Sequence, residues 1–135
     1  MTSHGFRVKP TLSRLNKEIG LLNDNHYNCN VLFNNNYINI YIAIVAQHRT
    51  NIMVTIEIDK YYPFKPPTIY INNVKYYNIL KMISIRYNCN ETCLCCKSIT
   101  CPDKWKPSCK IQDILNEILL YQNNIISFLP VGVYD

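Results

Sequence analysis

The stretch Met53-Val-Thr-Ile-Glu-Ile-Asp-Lys-Tyr-Tyr-Pro-Phe-Lys-Pro-Pro67 limits what this chain can fold into more than any other. Ile52, Val54, Ile56 and Ile58 recur at every second position, the pattern of a strand with one buried face. The run ends in Pro63, Pro66 and Pro67, three prolines within five residues. Each fixes φ and lacks a backbone donor, so 63–67 joins neither a ladder nor a helix. A short apolar run, Thr68-Ile69-Tyr70-Ile71, follows at once. Two strands therefore meet at a rigid, extended corner.

Upstream, Ile38, Ile40, Ile42 and Ile44 alternate with Tyr37, Asn39, Tyr41 and Ala43, which predicts a strand over 37–45. Another strand is expected over 28–33, with Asn34-Asn35-Asn36 as its turn and 47–51 turning the chain again. Leu12, Leu15, Ile19 and Leu22 are spaced by three and four, so 11–22 reads as a helix. Thr11 or Ser13 would cap it, Gly20 with Asn23-Asp24-Asn25 would end it, and Arg14, Lys17 and Glu18 would lie on its wet face. Ile111, Ile114, Leu115, Ile118, Leu119 and Ile125 form one apolar stripe, read as a single long helix over 110–128. Residues 72–107 read as irregular. The expectation is an α+β domain: N-terminal helix, four-stranded antiparallel meander, irregular Cys-rich loop, long C-terminal helix. One domain spans 1–135, with its core at 10–128 and a tail at 129–135.

A chain of 135 residues with 48% hydrophobic and 17% charged content buries a core without metal or disulfide support. Its net charge of +5 is mild, and no basic run interleaved with aromatics argues for specific nucleic-acid reading. Met1 to Lys9 lacks the apolar centre of a signal peptide, and no apolar stretch approaches the roughly 20 residues that cross a bilayer. An intracellular protein, cytoplasmic or nuclear, with reduced thiols is expected. Abundant Asn, Ile, Tyr and Lys reads as A/T-rich coding sequence, not as mechanism.

Six of the seven cysteines, Cys89, Cys93, Cys95, Cys96, Cys101 and Cys109, crowd one segment. Two uses stand open beside that of buried thiols. A thiolate is a strong nucleophile and a good leaving group, so one of them suits acyl transfer. Alternatively Cys93 and Cys96, with Cys101 and either Cys109 or Cys89, supply four thiolates for a zinc ion that staples the loop. The two uses are compatible if different cysteines serve each. His4, His26 and His48 lie far from the cysteines and read as surface or turn residues. Trp105 reads as packing a loop onto the core. Phe64, on a proline-stiffened corner, is either an exposed interface anchor or folded under the sheet.

Three motifs in order carry a resemblance: Arg14-Leu15-x-Lys17-Glu18-Ile19; Val54 to Ile58 followed by Tyr62-Pro-Phe-Lys-Pro-Pro67; and Trp105-Lys-Pro107 followed by Ile111-x-x-Ile114-Leu115-x-x-Ile118. Together the chain resembles the ubiquitin-conjugating enzymes. That resemblance implies a cysteine that holds ubiquitin or a ubiquitin-like protein as a thioester and passes it to lysine. Cys93-Leu94 matches the family's catalytic dipeptide, whereas Cys96 has the family's intervals, nine residues before Trp105 and eight after Asn88. The family's His-Pro-Asn is absent; Arg86-Tyr87-Asn88 stands nearest, so Asn88, with Asn78 as second candidate, takes the place of the amide donor.

The resemblance further implies that Phe64 and Pro63, with Pro107 and Ser108, meet a ubiquitin ligase. Arg14, Lys17 and Arg7 would face the activating enzyme, and Asp103 would steer the incoming lysine. No cofactor is required, zinc being the alternative, and no membrane partner is implied. The 46–50 connection is short and the family's last two helices have no counterpart, which leaves a minimal core. The loss of His-Pro-Asn keeps a second function class in view: an inactive variant that serves as an interaction or structural module.

Overall fold

The computed structural model describes residues 9–34, 36–45, 51–87 and 93–129. The alternating segments pair as read, into an antiparallel sheet of order β1-β2-β3-β4-β5: β1 (Cys29–Phe33), β2 (Ile38–Val45), β3 (Asn51–Ile58), β4 (Thr68–Ile71) and β5 (Val74–Lys75). Ile38 faces Ile58, Ile40 faces Ile56, Ile42 faces Val54 and Ile44 faces Ile52 across β2 and β3. Val54 and Ile56 then face Ile71 and Ile69 of β4. This ladder of β-branched side chains is buried throughout. Such side chains pack well on a pleated surface, and each opposed pair contributes about 0.2–1 kcal/mol.

The sheet has five strands where four were expected. The fifth arises from Asn72 and Asn73, which both take left-handed φ values, 49° and 67°. Two consecutive left-handed residues make the two-residue turn that suits the twist of a hairpin, and Asn tolerates that region. The segment expected to be irregular is then mostly helical. Tyr76, Ile79, Leu80 and Ile83 recur at helical spacing, are buried, and build α2 (Tyr76–Arg86). A short α3 (Leu94–Lys97) follows.

Two helical boundaries also differ from the sequence reading. The first helix, α1, spans Lys9–Asp24, so Ser13 lies inside it and Gly20 does not end it. It ends where His26 takes a φ of 69°, with Tyr27 N–H bonded to the Leu22 carbonyl and His26 N–H to the Asn23 carbonyl, both at 3.0 Å. That is the Schellman closure of a helix, with His in the place usually held by Gly. The C-terminal stripe is divided, not one long helix: α4 (Ile111–Leu120) and α5 (Gln122–Ile126) are separated at Tyr121, whose ψ of 11° leaves the helical region. Both halves bury the same stripe, because one non-helical residue hardly changes the phase. Leu129, assigned to the tail, is buried in the core, and 130–135 lies outside the described residues.

The proline corner is fastened from three sides. Tyr62 is buried, its peptide bond to Pro63 is cis, and its hydroxyl donates to both carboxylate oxygens of Glu18 at 2.9 Å. Glu18, expected on the wet face, is only 6% exposed. It also accepts the Arg14 Nε–H and the Ile111 backbone N–H, each at 2.8 Å. A carboxylate is retained in a core when its lone pairs are filled in this way. Trp105 packs on the core and donates its indole N–H to the Pro63 carbonyl at 2.7 Å, with its ring centroid 6.0 Å from that of Tyr62. Among the described residues no helix is long and apolar enough to cross a membrane.

Candidate functional site around the cysteine turn

Cys93 stands immediately before α3, and the turn that carries it is held from α2. The Leu94 N–H donates to Ser84 Oγ at 2.7 Å, and Ser84 in turn bonds the Leu80 carbonyl at 3.1 Å. Ser84 is therefore a buried polar side chain on an apolar helix face because it anchors the turn. The N–H groups of Cys96 and Lys97 close on the Cys93 carbonyl at 2.9 and 3.2 Å. Downstream, Glu117 of α4 accepts the Ser98 hydroxyl at 2.5 Å, the Ile99 N–H at 3.0 Å and the Tyr76 hydroxyl at 2.7 Å. Both flanks of the turn are thus tied to helices.

The three thiols of the turn are not alike. Cys93 is half-buried, Cys95 buried and Cys96 exposed. The Cys93 and Cys95 sulfurs stand 2.7 Å apart. Burial alone would raise the Cys93 thiol. Hydrogen bonds from the Cys95 thiol, from Ser84 and from the backbone N–H groups of Cys95 and Cys96 outweigh it and lower its pKa. Cys95 is pushed up to about 12, first by burial and then by the Cys93 sulfur beside it. The negative charge Cys95 would take on ionising, together with a hydrogen bond to its sulfur, raises the Tyr77 hydroxyl above its usual range. Cys93 ionises more readily than its neighbour, which is held protonated, and that is the asymmetry a nucleophilic cysteine needs.

A groove of about 520 Å³ runs between the corner and α2, lined by Phe64, Lys65, Tyr76, Tyr77, Cys95 and Cys101 among others. Cys93 and Cys96 lie outside its lining, so the groove borders the turn without holding the poised thiol.

The site residues read from sequence separate into groups. Phe64 is 78% exposed and does not fold under the sheet. Pro63 and Pro107 are brought to one side: Trp105 bonds the Pro63 carbonyl, and Arg14 donates to the carbonyls of Pro107 and Cys109. Pro107 and Ser108 are exposed. Arg14 is engaged within the fold by these bonds, by Glu18 and by its position 5.4 Å from the Tyr62 ring centroid, whereas Lys17 is exposed. Asp103 is exposed on the loop before Trp105, and Asn78 is exposed on α2.

Asn88, Cys89, Arg7, His4 and His48 lie outside the described residues. Among the described residues no three His, Cys, Asp or Glu side chains gather as a metal ion requires, so Cys93, Cys96, Cys101 and Cys109 are not assembled into a four-thiolate site. Sequence reasoning missed Ser84, Glu117 and Tyr77. Only Ser84 left a signal, as a polar residue at a helix position one step from the apolar stripe. Comparison with family models, with curated proteins and with solved structures returns no match for this chain.

Proposed function

We propose that the chain is a divergent, minimal ubiquitin-conjugating-type protein that accepts ubiquitin or a ubiquitin-like protein on Cys93 and passes it to a lysine. The observation that carries this reading is the Cys93 thiol itself: half-buried, lowered in pKa, and presented by an anchored turn. Two features of the frame support it. The strands form an antiparallel meander, and the Tyr-Pro-Phe corner is bonded directly to the tryptophan that precedes the last apolar helix.

In the reaction the Cys93 thiolate attacks the carbonyl of the activating enzyme's thioester and expels that enzyme's thiolate. A lysine amine then attacks the new thioester, gives up a proton, and releases Cys93 as thiolate. Each attack places negative charge on the carbonyl oxygen, and a positioned donor there typically contributes about 10²–10³ in rate. Asn88 is the side-chain candidate for that donor, and the backbone N–H of Cys95, beside the Cys93 sulfur, is a second source. A second reading, a scaffold that binds protein partners without catalysis, is favoured by one observation, the absence of His-Pro-Asn before the cysteines.

Incubation with activating enzyme, ATP and ubiquitin tests both. The expected product is an adduct removed by thiol reductant, retained in Cys96→Ser and lost, or converted to a reductant-resistant ester, in Cys93→Ser. No adduct from the wild-type chain, or one unaffected by both substitutions, rejects the enzyme reading.

A further inference from the structure

We infer that Cys93 and Cys95 form a redox-active dithiol couple that closes to an intramolecular disulfide, with a low-molecular-weight disulfide of the glutathione class as its oxidant. Spacing in the sequence points elsewhere. Cys93-x-x-Cys96 at the start of a helix is the arrangement read as redox-active. The fold pairs Cys93 with Cys95 instead: their sulfurs stand 2.7 Å apart, and a disulfide bond is about 2.05 Å long. Cys96, by contrast, is exposed on α3. The turn is clamped by the Leu94 N–H to Ser84 bond, so the two sulfurs are held in register and closure needs only a small approach.

Access and burial divide the roles. Cys93, half-buried, is the thiol a soluble oxidant reaches; Cys95, buried against the core, is the resolving thiol. The Cys93 sulfur, on losing its proton, attacks one sulfur of the glutathione disulfide. A Cys93–glutathione mixed disulfide forms and one glutathione leaves, taking up that proton. The Cys95 sulfur then attacks Cys93 Sγ, breaks the mixed disulfide, and gives its proton to the departing second glutathione. Two protein thiols are oxidised by two electrons, and one glutathione disulfide is reduced to two thiols. If Cys93 is the acceptor proposed above, closure abolishes thioester formation until the bond is reduced; that consequence alone rests on the functional reading.

The test is made on the full chain, equilibrated in glutathione redox buffers, quenched with acid, and then alkylated under denaturing conditions so that buried thiols react. Mass then reports how many thiols escape labelling. The expected result is two thiols fewer labelled in wild type and in Cys96→Ser, restored by prior reduction, and in Cys95→Ser no intramolecular disulfide but a trapped Cys93–glutathione mixed disulfide, read as one added glutathione and one thiol fewer labelled. Because Cys95 is buried, Cys93→Ser supplies the same test from the more accessible side, with circular dichroism confirming that each variant folds. A disulfide that persists in Cys95→Ser and vanishes in Cys96→Ser, a bond to Cys89, or no bond in wild type at any buffer ratio overturns the inference. None of these outcomes changes the thioester assay of the reduced protein, so the two proposals fail separately.

Discussion

Glu18 and Glu117 each gather three donors from distant parts of the chain, and the two gatherings differ in one respect. Glu18 takes a cation, Arg14, together with the Tyr62 hydroxyl and the Ile111 N–H. Glu117 takes the Tyr76 and Ser98 hydroxyls and the Ile99 N–H, all neutral. The first is 6% exposed and fastens α1, the corner and the start of α4. The second is partly exposed and fastens the segment that follows the thiols. The deeper a carboxylate lies, the more it depends on an opposite charge and on a full set of donors. The difference between Cys93 and Cys95 comes from their burial, their mutual contact and the Ser84 and backbone donors to Cys93.

The largest contrast expected from this arrangement is at the thiols. Thiolate is the form that iodoacetamide alkylates, and thiolate rises as pH climbs through the pKa. The lowered Cys93 pKa moves its reactivity midpoint to lower pH than that of Cys95. Cys95, at about 12, holds only about one part in 10⁴ as thiolate at pH 8. Peptide-resolved alkylation of the reduced protein across pH should therefore label Cys93 first and leave Cys95 unlabelled below about pH 10. Equal rates for the two would erase the asymmetry.

Next in size are the carboxylates. Glu18→Ala strands a buried Tyr62 hydroxyl, the Ile111 N–H and Arg14, and is expected to cost about 3–5 kcal/mol in urea unfolding. Glu117→Ala is expected to cost about 2 kcal/mol, since it strands the buried Tyr76 and Ser98 hydroxyls but leaves no charge unpaired. A larger loss at Glu117 than at Glu18 would invert the comparison. The smallest effect belongs to the corner tip. Phe64→Ala should change stability by less than about 0.5 kcal/mol because the ring is 78% exposed. If the corner meets a ligase, the same variant loses ligase-stimulated discharge of the thioester while its loading stays unchanged.

The sheet was legible because its signal is local: Ile38 to Ile44 and Ile52 to Ile58 announce both the strands and the buried face. The corner was legible because proline acts on its own backbone. The helix α2 was present in the sequence as Tyr76, Ile79, Leu80 and Ile83. Its entry through an Asn-Asn turn looked like the opening of a loop, although two residues between Ile71 and Val74 is a hairpin length. The break at Tyr121 left no trace, since an apolar stripe continues in phase across it. Glu18 was not legible as a buried residue. It lies three residues after Leu15 and four before Leu22, but a carboxylate there reads as exposed, and the groups that make its burial tolerable lie at Tyr62 and Ile111. The contact between Cys93 and Cys95 depends likewise on how α2 anchors the turn, which spacing alone does not encode.

Trp105 is the only tryptophan in the chain, and its indole is wedged between the Pro63 carbonyl and the Tyr62 ring. The molecule thus carries an internal fluorophore at the junction where the corner, the first helix and the last apolar helix converge. Its emission will register loosening of that junction without any dye, and so will distinguish a variant whose elbow has come undone from one altered only at the thiols.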